Sequence, residues 1–490
     1  MAPTQSPPGT GAAATRPWLG LSGIAMGVFM FTLDASIVNV ALPTLTKQFG
    51  TTFSTVQWVV LAYLLIATAL VLAAAWLGDR VGKKRAYLAG LGLFTFGSLL
   101  CGLAPTIGWL IACRALQGLG AVFVSALGAA IVGGIFGPEA RGRAMGLIGS
   151  AVFLGVALGP SVGGWIIQLA GWRWMFLVNI PFGIAAFTVI RLFVPAMPGH
   201  PAKHGFDWPG TVLACIMLAA LALGLTWGQR DGFDNPLIET LLAVAVVGFG
   251  AFLVVESRVE GPSLDLRVFR SRPFAIGLAM SGLVFMVLGG TGFLLPFYLE
   301  IVAAYPTAWV GLLMAVSPVL GGLIAPIGGT LADRLGARGV SLAGLALLAL
   351  GCALFASVGP QVSALEFAVR IAPLGMGMGL FNAANNSSVL NAVAREQLGI
   401  ASALLSLMRT LGQTTGVPLL ATAFSLMALG HAIGGRHPML LALPAPALVH
   451  GIHWAFAMAT CLALVALAAG AWDLVRQRAQ SSRHNADQKA

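Results

Sequence analysis

A single carboxylate interrupts the first long apolar stretch of the chain. Asp34 lies in FTLDASIVNV at 31–40, where Thr32, Ser36 and Asn39 are the other polar residues. Inside an apolar span a carboxylate costs on the order of several kcal/mol unless it is paired, hydrated or protonated. Burial favours its neutral form, and reversible neutralisation is what a proton-coupled step requires. At about 100° per residue, Thr32, Ser36 and Asn39 share one helix face and Asp34 lies nearly opposite. Either the carboxylate or the polar stripe faces a central cavity while the other packs on a neighbouring helix; the sequence allows both. A structural hydrogen-bonding role is the plainer alternative for Asp34.

Arg114 is the basic residue deep in a later apolar stretch, with Gln117 beside it. A guanidinium stays charged there and needs an anionic or carbonyl partner, which a salt bridge that locks packing would also supply. Arg409, in another stretch, has no local acidic partner and needs one from another helix or from an anionic ligand. Glu366 and Arg370 are four residues apart and can neutralise one another. Glu300 ends an apolar stretch; an exposed helix-end charge is its plainer reading, a protonatable or cation-selective group the sharper one. Asn39, Gln117, Glu300, Asn382 and Arg409 are the candidates to line a substrate cavity. Asn385, Asn386 and Gln413 are further polar contacts that ordinary interhelical bonding explains equally well.

Gly155, Gly159 and Gly163 recur every four residues, with Pro160 between them and Gly164 after. Such a ridge lets another backbone approach closely, and the proline frees a carbonyl and can bend the helix. Asp79, Arg80 and Gly82, and again Asp333, Arg334 and Gly336, follow apolar stretches and read as gate and hinge elements. A carboxylate there pairs with a basic side chain or with the N-terminus of an adjacent helix. The five cysteines lie inside apolar runs with no metal-ligand spacing, and the histidines sit in linkers and ends, so no metal site is expected. No GxxxxGK[ST] segment supports nucleotide use.

These residues need elements that cross a lipid phase. The 490 residues are 58% hydrophobic and only 9% charged, against about a quarter charged in soluble domains, and the mean hydropathy is +0.91. A water-soluble enzyme is excluded. Net charge is +11, yet no contiguous basic face with aromatics points to nucleic acid. Apolar runs long enough to span a bilayer fall at about 18–42, 54–77, 86–104, 109–135, 143–168, 174–196, 209–229, 236–256, 273–302, 307–332, 339–357, 361–390, 398–428 and 449–475. With the N-terminus placed in the cytoplasm, 20 of the 27 Lys and Arg fall in cytoplasmic segments and four in outer ones. That bias puts both termini inside.

The chain also repeats itself. LGDRVGKKR at 77–85 matches LADRLGAR at 331–338, with Asp79 and Asp333 254 residues apart; Arg114 and Arg370 are 256 apart. A duplicated half is the simplest reading. It divides an all-α chain into a disordered tail (1–17), a six-helix bundle (18–196), two additional spans (209–256), a second six-helix bundle (273–475) and a cytoplasmic tail (476–490).

LDASIVNVALP at 33–43, WLGDRVGKKR at 76–85, RALQGLG at 114–120, GVALGPSVGG at 155–164, WRWMFLVNIPFG at 172–183 and GTLADRLGAR at 329–338 resemble, in order, the motifs of the major facilitator superfamily. The similarity is to its fourteen-span drug–proton antiporters of the QacA/EmrB type. Ala75 departs from the first glycine of the loop motif, and Glu300 stands where glutamine is common. The resemblance implies a major facilitator fold with 14 transmembrane helices in the cell (inner) membrane. It implies proton-driven export of a lipophilic solute, with the proton gradient instead of a cofactor as energy source. Arg114 would then help control proton exchange near Asp34, and the 155–164 segment would bend and seal against leak. A periplasmic adaptor is an expected partner if the host is Gram-negative. An importer or facilitator of one specific solute is the alternative; a membrane-embedded enzyme or receptor would show a buried catalytic cluster or a large extramembrane domain.

Overall fold

The computed structural model describes residues 17–136, 138–199, 207–258, 271–393, 398–431, 440 and 443–487. Among them there is no strand. With no water in a bilayer core, an apolar run must satisfy its backbone bonds internally, and a helix is the local solution. The helices are α1 (Pro17–Phe49), α2 (Phe53–Val56), α3 (Trp58–Ala69), α4 (Val71–Val81), α5 (Lys83–Gly102), α6 (Ile107–Ile135), α7 (Pro138–Ala170), α8 (Arg173–Leu177), α9 (Asn179–Phe193), α10 (Trp208–Asp231), α11 (Pro236–Arg258), α12 (Arg272–Phe297), α13 (Thr307–Leu335), α14 (Ala337–Phe355), α15 (Ala364–Asn391), α16 (Leu398–His431) and α17 (Ala445–Asp487). Polar caps open several of them: Thr106 Oγ1 accepts from Trp109 N, Ser363 Oγ from Glu366 N and Asp207 Oδ1 from Gly210 N, each satisfying a free helix-terminal N–H.

Eleven helical stretches of the described residues are long and apolar enough to cross a membrane, and twelve when the bent stretch from Phe53 to Val81 counts as one. That stretch turns by 55° at Leu70 (φ −104°, ψ 4°). Just before the bend, Thr68 Oγ1 donates back to Leu64 O (2.7 Å) and lies 2.9 Å from Thr414 Oγ1, the kind of back-bonding that bends helices.

Several limits differ from the sequence reading. The first helix continues to Phe49 instead of stopping near residue 42, because Pro43 is accommodated within it. The helix after residue 475 runs on to Asp487, so most of the expected C-terminal tail is helical. The expected N-terminal tail lies, apart from Pro17, outside the described residues.

α1 packs on α7 and α9, α3 on α6, and α5 on α6 and α9; on the other side, α12 packs on α16 and α17, α14 on α15 and α17, and α13 on α15. Two groups of helices result. The repeated loops adopt the same turn in both. Gly82 (φ 100°, ψ 124°) ends α4 and Gly336 (φ 91°, ψ 129°) ends α13, a conformation that side chains disfavour. Two residues later the copies remain parallel in role: Lys84 Nζ donates to Arg191 O and Val194 O at the end of α9, and Arg338 pairs with Asp473 of α17. Each ties the helix after the loop to the last helix of its own group.

Contacts between the groups are concentrated at the end opposite the basic loops. Lys47 Nζ meets Glu300 Oε1 at 2.9 Å. Phe53 packs against Phe293, Phe297 and Phe424 with ring centroids 4.9–5.4 Å apart. Ser161 Oγ donates to Gly311 O (3.3 Å), and Thr68–Thr414 lies near mid-helix. α10 joins the same seam: Gln57 Nε2 donates to Gln229 Oε1 (2.7 Å), and Gln229 Nε2 donates to Thr422 Oγ1 (3.0 Å).

Candidate functional site

Asp34 is fully buried (0% exposed) and so is Arg114 (1%). Arg114 Nη1 donates to Asp34 Oδ2 at 2.6 Å and to Gln117 Oε1 at 2.6 Å, and its Nε donates to Val59 O at 3.0 Å. The guanidinium lies over the Tyr63 ring, 4.3 Å from its centroid. Asp34 Oδ1 accepts from Gln117 Nε2 (2.9 Å) and Asn179 Nδ2 (2.9 Å). Behind them, Ser98 Oγ accepts from Gln117 Nε2 (3.2 Å) and Asn179 Nδ2 (3.0 Å), and donates to Phe176 O (2.9 Å). Both oxygens of the carboxylate thus accept hydrogen bonds, which offsets the cost of burying it.

The local sequence places each partner. Arg114 and Gln117 are three apart on α6 and so share a face. Asn179 opens α9, with Pro181 two residues on, and its amide reaches Asp34 of α1. The two faces of α1 are thereby assigned. Asp34 turns inward to α5, α6 and α9. Thr32 and Ser36 turn to α7, where Ser36 Oγ donates to Gly155 O (3.1 Å). Gln117, expected at a cavity, belongs instead to the Asp34 cluster. Asn179 and Ser98 are members of the site that the sequence reading did not single out, and Tyr63, an aromatic position suited in sequence to a greasy ligand, packs on Arg114 instead. A lone amide in the apolar run after WRWMFLV was the available signal for Asn179.

The glycine ridge does what small residues allow. A Cβ at Gly155 would strike Thr32 Oγ1, one at Gly159 Ser36 Oγ, and one at Gly163 Ile37 Cγ1, so this face lies directly on α1. The next face crosses to the other group: a Cβ at Gly164 would meet Thr307 O at 2.5 Å, and one at Gly311 would strike Pro160 O. α7 is therefore clamped between α1 and α13.

The remaining candidates are dispersed. Glu300 is not an exposed helix-end charge: its side chain is 9% exposed and paired with Lys47. It sits in a wide helical turn, Tyr298–Val302, that follows α12, and Ala304 beyond it has φ 55°. Asp79 pairs with Lys83 (2.9 Å) at an exposed position, with Arg80 beside it over Trp76. Asp333 and Arg334 lie in the last turn of α13. Asn39 is half-buried. Arg370 differs from its repeat partner Arg114: it bonds Glu366, Leu354 O (2.7 Å) and Ser357 Oγ (3.0 Å) near a helix end. Arg409 reaches Asn386 Oδ1 (3.0 Å) and lies over Phe285, and Asn382 is half-buried on α15. Among the described residues no group of three His, Cys, Asp or Glu could hold a metal ion.

Residues 24–417 match the family described as the Major Facilitator Superfamily. The chain is 34% identical to the riboflavin transporter RibZ of Clostridioides difficile (strain 630), over 84% of this chain and 89% of that one. It is 34% identical to the multidrug resistance protein Stp of Mycobacterium tuberculosis (strain CDC 1551 / Oshkosh), over 83% and 76%, and 28% identical to the multidrug transporter protein MdtP of Bacillus subtilis (strain 168), over 87% and 79%. In fold it is similar to a bacterial homolog of the human lysosomal transporter Spinster (TM-score 0.67, 16% identity, 94% of this chain and 97% of that one). The human organic anion transporter MFSD10 is also similar in fold (TM-score 0.62, 16% identity, 93% and 99%).

Proposed function

The chain belongs to the Major Facilitator Superfamily, transporters and not enzymes, and from that premise we propose that it exports a lipophilic, drug-like or metabolite solute in exchange for protons by alternating access. In this reading α11 and α16 are spans in addition to the twelve, giving fourteen passes. The end carrying Arg80, Lys83, Lys84 and Arg85 faces the cytoplasm with both termini, in the cell (inner) membrane. The two six-helix bundles, 18–196 and 273–475, are the units that rock.

The Asp34 quartet is the observation that carries the proposal. A carboxylate with no solvent contact, held by Arg114, Gln117 and Asn179, is a charge whose removal by a proton releases donors on two other helices. Its helix is coupled onward by direct packing: α1 lies on the glycine face of α7, and α7 lies on α13 of the other bundle. A change at Asp34 therefore has a contiguous physical route to the seam between bundles. With the Lys47 end closed by Phe53, Glu300 and Gly311, a cargo would enter between the bundles from the basic end, the side from which an exporter loads.

The test is proton-driven movement of ethidium and of fluorescein into inside-out vesicles, with wild type and Asp34→Asn at equal expression, with and without an uncoupler. The expected result is dye movement that the uncoupler stops and Asp34→Asn abolishes. Uncoupler-insensitive movement would overturn proton exchange, and movement untouched by Asp34→Asn would overturn the role of the acid. The relative named a riboflavin transporter favours one second reading, a transporter of a single metabolite, which would move neither dye.

A further inference from the structure

Three arginines in the helical passes find a carboxylate: Arg114 with Asp34, Arg338 with Asp473, Arg370 with Glu366. Arg409, well inside α16, has no carboxylate partner among the described residues. Its Nη2 donates to a neutral acceptor, Asn386 Oδ1 at 3.0 Å; its guanidinium carbon lies 5.4 Å from the Phe285 centroid; and its Nε is buried with no hydrogen-bond partner. One turn before Asn386 on α15, Asn382 Oδ1 is also buried and unpartnered. With its oxygen engaged, Asn386 keeps an amide nitrogen to donate, and the Asn382 amide presents either a donor or an acceptor according to its rotation. These groups come from three helices, α12, α15 and α16.

A guanidinium cannot shed its charge and does not face lipid, and Arg409 is only half-buried. α16 is a helix of the seam: it packs on α3 of the other bundle, where Thr414 touches Thr68. Arg409 is eleven residues from the start of α16, about 16 Å from the basic end. Asp34 offers it no compensation, being already neutralised by Arg114.

We infer that Arg409, with Asn382 and Asn386, receives the carboxylate or similar oxyanion of a lipophilic cargo, on the C-terminal side of the space between the bundles. The arrangement suits such a group: a forked, permanently charged donor set, side-chain amides beside it, and an aromatic ring on one side of the guanidinium. A cationic cargo would meet an arginine whose charge no carboxylate offsets. The inference deepens the transport reading by naming the cargo class, and it rests on that reading only for the movement of what binds.

The experiment is binding to the full chain in detergent, read by tryptophan quenching, with three matched probes: 2-naphthoate, 2-naphthamide and 2-naphthylmethylammonium. Wild type is expected to bind the naphthoate in preference to the other two. Arg409→Gln removes a charge-assisted contact and is expected to weaken naphthoate binding about tenfold or more, with the amide unaffected. Arg409→Lys keeps the charge and loses the fork, so it is expected to fall between. Asn386→Ala, which removes no charge, is expected to weaken naphthoate several-fold and serves where Arg409→Gln is not monodisperse. Equal binding of all three probes, or an undiminished naphthoate preference in both Arg409→Gln and Asn386→Ala, would overturn the inference. The two readings separate cleanly. Naphthoate binding that needs Arg409, without uncoupler-sensitive flux, sustains this inference and fails proton exchange. Uncoupler-sensitive export of ethidium by a protein with no naphthoate preference does the reverse.

Discussion

Asp34 and Arg114 stand eighty residues apart in the chain and meet at 2.6 Å, with side chains 0% and 1% exposed. Such a pair is retained against a large desolvation cost only when the remaining lone pairs and protons are bonded, and here Gln117, Asn179 and Val59 O take them up. Neutralising one partner leaves the other charged in a dry place, which typically costs about 3–5 kcal/mol. Asp34→Asn and Arg114→Gln are each expected to lower the thermal midpoint of the purified protein strongly. The double variant is expected to recover much of the loss while remaining inactive in vesicle transport. Additive losses in the double variant would show that the two do not act as a pair.

Lys47 and Glu300 join the bundles at the closed end, and the lysine is 61% exposed. A pair with one solvated member is worth about 1 kcal/mol at most, which corresponds to a roughly fivefold change in the ratio of two conformations. Glu300→Gln is expected to raise the fraction of molecules open at that end, seen as a longer distance between spin labels at Thr51 and Ala304. The exchange Lys47→Glu with Glu300→Lys is expected to restore the short distance. An unchanged distance distribution in Glu300→Gln would mean the aromatic contact of Phe53 closes that end alone.

Gly159 and Gly164 lie on the same helix and are expected to fail differently. A methyl at Gly159 lands on Ser36 Oγ within the N-terminal bundle, whereas one at Gly164 lands on Thr307 O across the seam. Overpacking costs about 1–3 kcal/mol. Gly159→Ala should therefore lower thermal stability, while Gly164→Ala should separate α7 from α13 and shift the same spin-label distance with little loss of midpoint. The opposite pattern would mean that the faces of α7 are assigned wrongly.

Arg338 and Asp473 make a further buried pair, 6% and 7% exposed, with Arg338 also donating to Pro273 O (3.2 Å). No cargo or proton role is needed to explain it; it fastens α14 to α17. Asp473→Ala is expected to cost about 3–5 kcal/mol and to reduce protein yield. Transport per folded molecule should stay close to wild type, as measured by flux normalised to monodisperse protein. A selective loss of flux would assign the pair to the cycle instead.

What could be read in advance followed from chemistry that is local in sequence. Asp34 stood out because a carboxylate in an apolar run needs a reason, and the repeated loops stood out because the same turn needs the same glycine, as Gly82 and Gly336 show. What could not be read is partnership across distance. Asn179 and Ser98 are ordinary polar residues until folding brings them to Asp34. Glu300 looked exposed because its partner, Lys47, is 253 positions away on another helix. The orientation of α1 was undecided because its two polar faces are equally polar. The partners of Asp34 on α6 and α9 and the glycine face of α7 assign them.

Gln229 gives the molecule a front and a back. Through it α10 is stitched to Gln57 on one bundle and to Thr422 on the other, so the extra hairpin of α10 and α11 straps the flank where α3 meets α16. On the opposite flank α7 meets α13 directly. The two bundles are therefore joined differently on their two flanks, through a bridging amide on one and by direct helix contact on the other. Separation of α7 from α13 breaks a direct backbone contact, whereas separation of α3 from α16 must also part both bundles from the Gln229 bridge.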